Sequence, residues 1–275
     1  MITAMPRIAI AVTDFAAAVT TFRDVFGLPV TDFSERTVPT LGAHIGICQP
    51  PGGSNVELMS PANPTLPLSH SLQKFLDRRG DGLYALMLEA ADPDVEAGEL
   101  STRGLDVLPL MVGASGRDVH PRSTHGVLIR VYPCDSVRNP DGLESVAPGL
   151  SGIAKVIIAT RDAAKAVEVY GRGFGLASSP VTLDKERGVL SARCNASKGG
   201  VIEVVSASDT SRPFAQEIEQ FVKENNEGMF ALVLQCEDPA AGVSLLQARG
   251  LDVGGATGAE ATVFGARFSF EAASR

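Results

Sequence analysis

The sequence predicts an α+β fold built from four βαβββ modules in tandem. Two observations predict it. Five blocks of the first half return in the same order in the second, and within each copy alternating strand-like runs give way to helical spacing after an aspartate. Gly82–Pro93 (GLYALMLEAADP) returns as Gly228–Pro239 (GMFALVLQCEDP), an offset of 146 residues. Arg103–Val107 (RGLDV) recurs unchanged as Arg249–Val253, and Asn55–Ser60 matches Val201–Ser206, both at that offset. Near the start, Ile8–Asp14 matches Val156–Asp162, and Phe26–Leu28 matches Phe174–Leu176, at an offset of 148. The seam falls near Pro148–Ser151, which divides the chain into 1–148 and 149–275.

Each copy divides again. Residues 7–13 alternate as a strand, with Ile8, Ile10 and Val12 on one face and Arg7, Ala9 and Ala11 on the other. Asp14 is placed to cap a helix in which Ala18, Phe22, Val25 and Phe26 recur at helical spacing, and Gly27 ends it. Strands are expected at about 43–48 and 55–59, joined by the turn Pro50–Ser54 (PPGGS). A Pro-rich connector and a helix near 72–79 follow. The pattern then restarts with a strand at 83–90, a helix from Asp92-Pro93 to Arg103-Gly104, and strands ending at 126–132.

The bulk numbers narrow the partners. A net charge of −8 argues against nucleic acid or an anionic membrane surface, but not against a small anion in a locally basic pocket. No run approaches the ~18 apolar residues of a membrane span, and the N-terminus has no signal-peptide pattern. Cys48, Cys134, Cys194 and Cys236 are widely spaced, which fits isolated thiols in a cytoplasmic protein. Gly171–Gly175 (GRGFG) ends a helix instead of opening one after a strand, so it is not a nucleotide loop.

The segment His120–Tyr132 (HPRSTHGVLIRVY) holds two of the four histidines beside an alternating strand. Val127, Ile129 and Val131 share one face; Leu128, Arg130 and Tyr132 share the other. The histidines suggest a metal site, and the arginine argues against one. This segment, with Ile8–Leu28 and Leu72–Gly82, resembles the vicinal oxygen chelate superfamily of glyoxalases, bleomycin-resistance proteins and extradiol dioxygenases, and within it the methylmalonyl-CoA epimerase branch. The likeness spans 7–132 well and 155–270 more weakly.

The resemblance implies that paired modules curl into cup-shaped, partly open β-barrels, two in this glyoxalase-like chain. It also implies four inward metal-binding side chains per cup. The matching positions here hold Arg7, Glu57, Ala85 and Arg130 in the first cup and Lys155, Glu203, Ala231 and Ser269 in the second. Cationic side chains and alanine do not ligate a divalent ion, so no metal and no other cofactor is expected. Arg7 is expected to face Glu57, and Lys155 to face Glu203. With Arg130, the first cup would carry a net +1, a receptor for a carboxylate, enolate or phosphate. An equally economical reading is that these pairs merely neutralise one another.

The expected function is a metal-independent isomerase, epimerase or lyase acting on a small carbonyl or carboxylate compound, an acyl thioester among them. Glu57, His125 and Arg130 are the catalytic candidates; Arg7, His120, Tyr132, Lys155 and Glu203 are the substrate-binding ones. Glu57 suits a general base, and His125 suits acid–base or oxyanion work at the cup mouth. Histidines in a Pro/Ser/Thr turn also serve simply to satisfy backbone groups. The rival reading is a binding protein that sequesters a small molecule without turnover. A third is a metal enzyme with unconventional ligands, built from Glu57, His120 and His125. A homodimer stays open, although four modules complete two cups without a partner chain.

Overall fold

The computed structural model describes residues 1–35, 41–137, 139, 147–255 and 258–272. Strand β1 (Ile2–Ala11) is central to the first sheet, because its two faces are both apolar enough to be covered. Helix α1 (Phe15–Thr20) follows, capped by Asp14 Oδ1 accepting from Ala17 N and prolonged as a π-turn over Thr21–Val25. Gly27, at φ 70°, stops that turn. Then come β2 (Val30–Asp32), β3 (Ala43–Cys48), β4 (Asn55–Pro61), α2 (Pro67–Arg79), β5 (Gly82–Ala90), α3 (Pro93–Thr102), β6 (Arg117–Val119) and β7 (Leu128–Pro133). Their sheet has the order β2-β3-β4-β1-β5-β7-β6, with β1 parallel to β4 and antiparallel to β5.

The second half repeats the plan: β8 (Leu150–Ala159), α4 (Ala163–Val167) prolonged as a π-turn over Glu168–Gly173, β9 (Ala177–Ser178), β10 (Thr182–Asp184), β11 (Val189–Asn195), β12 (Val201–Ala207), α5 (Pro213–Asn225), β13 (Gly228–Cys236), α6 (Pro239–Ala248), β14 (Glu260–Val263) and β15 (Ala266–Ala272). Its sheet is ordered β10-β11-β12-β8-β13-β15-β14, with β9 on β11. The architecture is α+β, with two mixed sheets that curve as open cups and do not close. In the second module of each half the strand after the helix shrinks to one bridge, Val107–Val119 and Gly254–Glu260.

Strand parity sorts the core. Ile8, Ile10, Val127, Ile129 and Val131 join one large apolar cluster that takes residues from both halves. Ala9, Ala11, Ala85 and Met87 face the other way, into a smaller cluster capped by Leu68, Leu72 and Leu76 of α2. A bulge adds to this inner face: the partner of β1 steps from Ala85 to Leu83 between Ala9 and Ile10, which leaves Tyr84 extra. The same step occurs at Phe230 in the second sheet.

The halves interlock reciprocally. Arg103 Nη1 donates to Gly173 O at 3.1 Å, and its repeat Arg249 Nη1 donates to Val25 O at 2.8 Å. Each arginine thus satisfies a carbonyl at the end of the other half's π-turn. Ser54 pairs with Ile153, and Met5 N donates to Gly199 O, so each half's first strand begins against the other half's turn. Phe22 and Phe26 pack on Phe268 at ring distances of 5.7 and 5.3 Å. Among the described residues no helix is long and apolar enough to cross a membrane.

Candidate active site

The inner face of the first sheet floors a cavity of about 430 Å³. Arg7, Glu57, Arg130, Tyr132 and Ser136 give it polar groups, and Phe33, Leu41, Ile45, Ile47, Met111 and Val137 give it apolar walls. Register explains the meeting. Arg7 lies opposite Met87, Met87 opposite Arg130, and Ala9 opposite both Glu57 and Ala85, so all of them share one face. Three of the four positions singled out in the sequence, Arg7, Glu57 and Arg130, therefore line one hollow, while Ala85 is packed in the apolar cluster beside it.

Arg7 Nε donates to Glu57 Oε2 at 2.7 Å, and both side chains are only 5% exposed. Arg7 Nη1 donates to Ser136 Oγ at 2.8 Å, and Ser136 Oγ and N both donate to Glu89 Oε1. The Arg7 guanidinium lies 4.4 Å from the Tyr132 ring centroid. Burial works against the Arg7 charge, but Glu57 and Tyr132 outweigh it and hold its pKa above the ordinary value. Glu57 Oε1 has no hydrogen-bond partner among the described residues.

Arg130 departs from the sequence expectation. Its Nε and Nη2 donate to Asp118 Oδ1 and Oδ2 at 2.6 and 2.8 Å, a bidentate pair across the β6–β7 ladder. Asp118 cancels Arg130 as Glu57 cancels Arg7, so the expected net +1 is corrected to a balance of paired charges. Burial opposes the Arg130 charge too, and Tyr132 and Asp118 together raise its pKa well above the ordinary value. Arg130 Nη1 has no acceptor among the described residues.

The second cup is more crowded. Lys155 Nζ lies 3.3 Å from Glu203 Oε2 and 3.0 Å from Glu271 Oε1. Arg187 reaches in from the β10–β11 hairpin to Glu203 and to Asp184, the latter at 2.7 Å, with its guanidinium 5.2 Å from the Phe214 centroid. Arg267 bridges Glu217 and Glu260 and lies 4.5 Å from the Phe230 centroid. Burial raises the Glu203 pKa, but Arg187 and Lys155 outweigh that and hold it below the ordinary carboxylate range. The remaining space, about 360 Å³, is lined by Arg187, Arg267 and Glu271 among others.

The histidines are not in the cup. His125 sits at φ 52° in a turn with Gly126, and its Nδ1 lies 3.1 Å from Glu227 Oε2 of the second half. It is drawn to the seam because Gly126 abuts the Glu227 backbone. His120 caps the short 3₁₀ turn Pro121–Ser123, its Nδ1 accepting from Arg122 N, and lines a different cavity. A metal built from Glu57, His120 and His125 is therefore excluded by position. Sequence reasoning missed Asp118, Ser136, Arg187 and Arg267. Asp118 lies on a three-residue edge strand, too short to show a period; the others lie in turns or at a position the resemblance does not mark.

The residues do not fit the divalent ion of the fold family. The Arg7 guanidinium occupies the side of Glu57 where a cation would bind, Ala85 has no donor, and Arg130 is held by Asp118. Among the described residues no group of three or more His, Cys, Asp or Glu side chains is arranged to hold a metal.

Residues 7–120 match the model of the Glyoxalase/Bleomycin resistance protein/Dioxygenase superfamily. Over 95% of this chain and 77% of the other, the fold is similar to a triple-substituted 4-hydroxymandelate synthase from Streptomyces coelicolor, with a TM-score of 0.65 and 17% identity. A substituted methylmalonyl-CoA epimerase from Streptomyces coelicolor, in complex with 2-nitronate-propionyl-CoA, is 24% identical over 51% of this chain and 100% of its own, at a TM-score of 0.42. Methylmalonyl-CoA epimerase from Mycobacterium tuberculosis is 25% identical over 47% of this chain and 87% of its own, at 0.40. No curated protein matches the chain. The match over 7–120 makes this part of the chain a domain of the glyoxalase/bleomycin resistance/dioxygenase superfamily.

Proposed function

We propose that the first cup is a metal-independent active site for proton transfer next to a carbonyl, on a small carboxylate or acyl compound, as in an isomerase, epimerase or lyase. The observation that carries this reading is Glu57. One oxygen is fixed by Arg7, and the other has no partner in a hollow with otherwise largely apolar walls. In that position Oε1 takes the proton from the alpha carbon. The C–H electron pair moves into the carbonyl, and the resulting enolate oxygen is stabilised by the remaining N–H groups of Arg130 and Arg7. Return of the proton to carbon, on either face, gives the isomerised product and restores Glu57. Tyr132 orients Arg7 by lying against its guanidinium.

The test is deuterium incorporation at the alpha carbon of a panel of small 2-oxo acids and acyl thioesters in D2O, followed by NMR. Wild type is expected to exchange at least one compound, and Glu57→Gln to slow that exchange by about 10²-fold or more. Stoichiometric divalent metal in the purified protein, with exchange abolished by a chelator, would overturn the metal-independent mechanism. The pairing of every charge in the cup favours a second reading, sequestration, which would appear as tight ligand binding without exchange or turnover.

A further inference from the structure

A second cavity, of about 540 Å³, opens between α2, the Tyr84 bulge and the 120–126 turn, with Met229 of the second half at its edge. Lys74, Arg78, Arg79 and His120 line it, and among its described lining residues there is no carboxylate. This is notable in a chain of net charge −8. None of Lys74, Arg78 and Arg79 takes part in an ion pair among the described residues; Arg79 donates only to Asn225 O, at 3.4 Å. His120 Nδ1 accepts from Arg122 N at 3.1 Å, so the neutral ring carries its proton on Nε2 and is a donor. Phe75 and Tyr84 meet edge to face at 5.3 Å, and with Leu128 they give the cavity an apolar side.

The duplication supplies an internal control. Residues 74, 78 and 79 correspond to Gln220, Glu224 and Asn225, whereas the packing positions Leu72, Phe75 and Leu76 are kept apolar as Ile218, Phe221 and Val222. The helix therefore folds and packs without the three cations. At the equivalent place the second half has a cavity of about 340 Å³ lined by Glu217, Asp252 and Glu260 against Arg267. Asp252 has a counterpart in Asp106, whose Oδ2 lies 3.9 Å from His120 Nδ1 outside the first-half cavity lining, so Glu217 is the carboxylate that the second half adds at the helix. Glu217 stands where the first half has Ser71, and by strand register Arg267 stands where it has Leu128. The salt bridge between them crosses a hollow that in the first half is bordered by Ser71 and Leu128 instead. One fold thus presents the same hollow twice, smaller and crossed by a carboxylate–arginine pair in one copy, larger and lined by cations with no ion pair among the described residues in the other.

We propose that this first-half cavity is a binding site for a small organic anion, separate from the cup. The aromatic or aliphatic body lies against Phe75, Tyr84 and Leu128. The phosphate, sulfonate or carboxylate group is held by Lys74, Arg78 and Nε2–H of His120. This assignment stands whether or not the cup is catalytic.

The probe is anilinonaphthalenesulfonate, an aromatic sulfonate, titrated by fluorescence and calorimetry against the full chain. Wild type is expected to bind one-to-one, more weakly as salt rises and the Debye length shrinks. The Lys74→Glu/Arg78→Glu chain, changed only at exposed positions, is expected to bind at least about tenfold more weakly. Ser71→Glu/Leu128→Arg, which copies the second half's salt bridge, is expected to abolish binding while circular dichroism stays native. Glu57→Gln is expected to bind the probe like wild type. Absence of saturable binding, an affinity within about twofold of wild type in the Lys74→Glu/Arg78→Glu chain, or a loss in Glu57→Gln would each overturn the assignment.

Discussion

Arg7 and Glu57 are two buried charges in contact, and such pairs are fragile to single changes because the survivor keeps its desolvation cost without its partner. Arg7→Met is expected to lower stability by about 3–5 kcal/mol in urea denaturation, with Arg7→Met/Glu57→Leu recovering most of the loss. If both variants lose equally, the pair is not the unit that matters. The resemblance implied this contact, and the alternation of Ile8, Ile10 and Val12 fixed the face that Arg7 is on. Arg130 was legible as an inward residue for the same reason. Its neutralisation was not: Asp118 sits on a three-residue strand, too short to show a period, and it reaches Arg130 only through the ladder. His125 failed for a different reason, because its partner Glu227 lies 102 residues away in the other half.

The hairpin β10–β11 shows how an element can close a site. Its turn places Arg187 over Phe214 and between Asp184 and Glu203. The Asp184 pKa is lowered first by the Arg187 backbone N–H and then by its side chain. Glu203, despite burial, is lowered by Arg187 and Lys155. Both folded-state values lie below the unfolded ones, so the stabilisation is complete above the ordinary carboxylate pKa of about 4 and is lost as pH falls through the folded values. Thermal stability is expected to drop between about pH 5 and pH 2, and Arg187→Gln to flatten that drop. An unchanged profile would show that the hairpin charges contribute nothing. Most elements were legible from their repeats and caps: β3 falls on the expected residues, Asp14 caps as anticipated, and the helix expected after Asp92-Pro93 begins there. The bulges at Tyr84 and Phe230 were not, because an extra residue in a uniformly apolar strand leaves no mark on the pattern.

At the scale of the whole molecule, the large apolar cluster runs through both sheets without a break. The chain is therefore expected to unfold in one calorimetric transition, with calorimetric and van't Hoff enthalpies equal. Gly126→Ala should lower that whole transition, since at φ 80° the added Cβ would lie 1.9 Å from Glu227 O. Gly52→Ala, at φ 68° with nothing within 4 Å, should cost only the left-handed strain of about 1–2 kcal/mol. Two transitions, or equal losses in both variants, would contradict a seam that couples the halves. The duplication itself was plain in the sequence. What its RGLDV repeat does was not, because a motif that serves the opposite copy looks the same on paper as one that serves its own.

The exchange of Arg103 and Arg249 across the seam has an evolutionary consequence. After a gene doubles, a copy that loses its chemistry is ordinarily free to decay and be deleted. Here each copy holds the end of the other's helix, so a change that loosens the framework of one half loosens the other as well. Neither half can therefore lose its helix end without loosening the other, whatever chemistry its own cup carries.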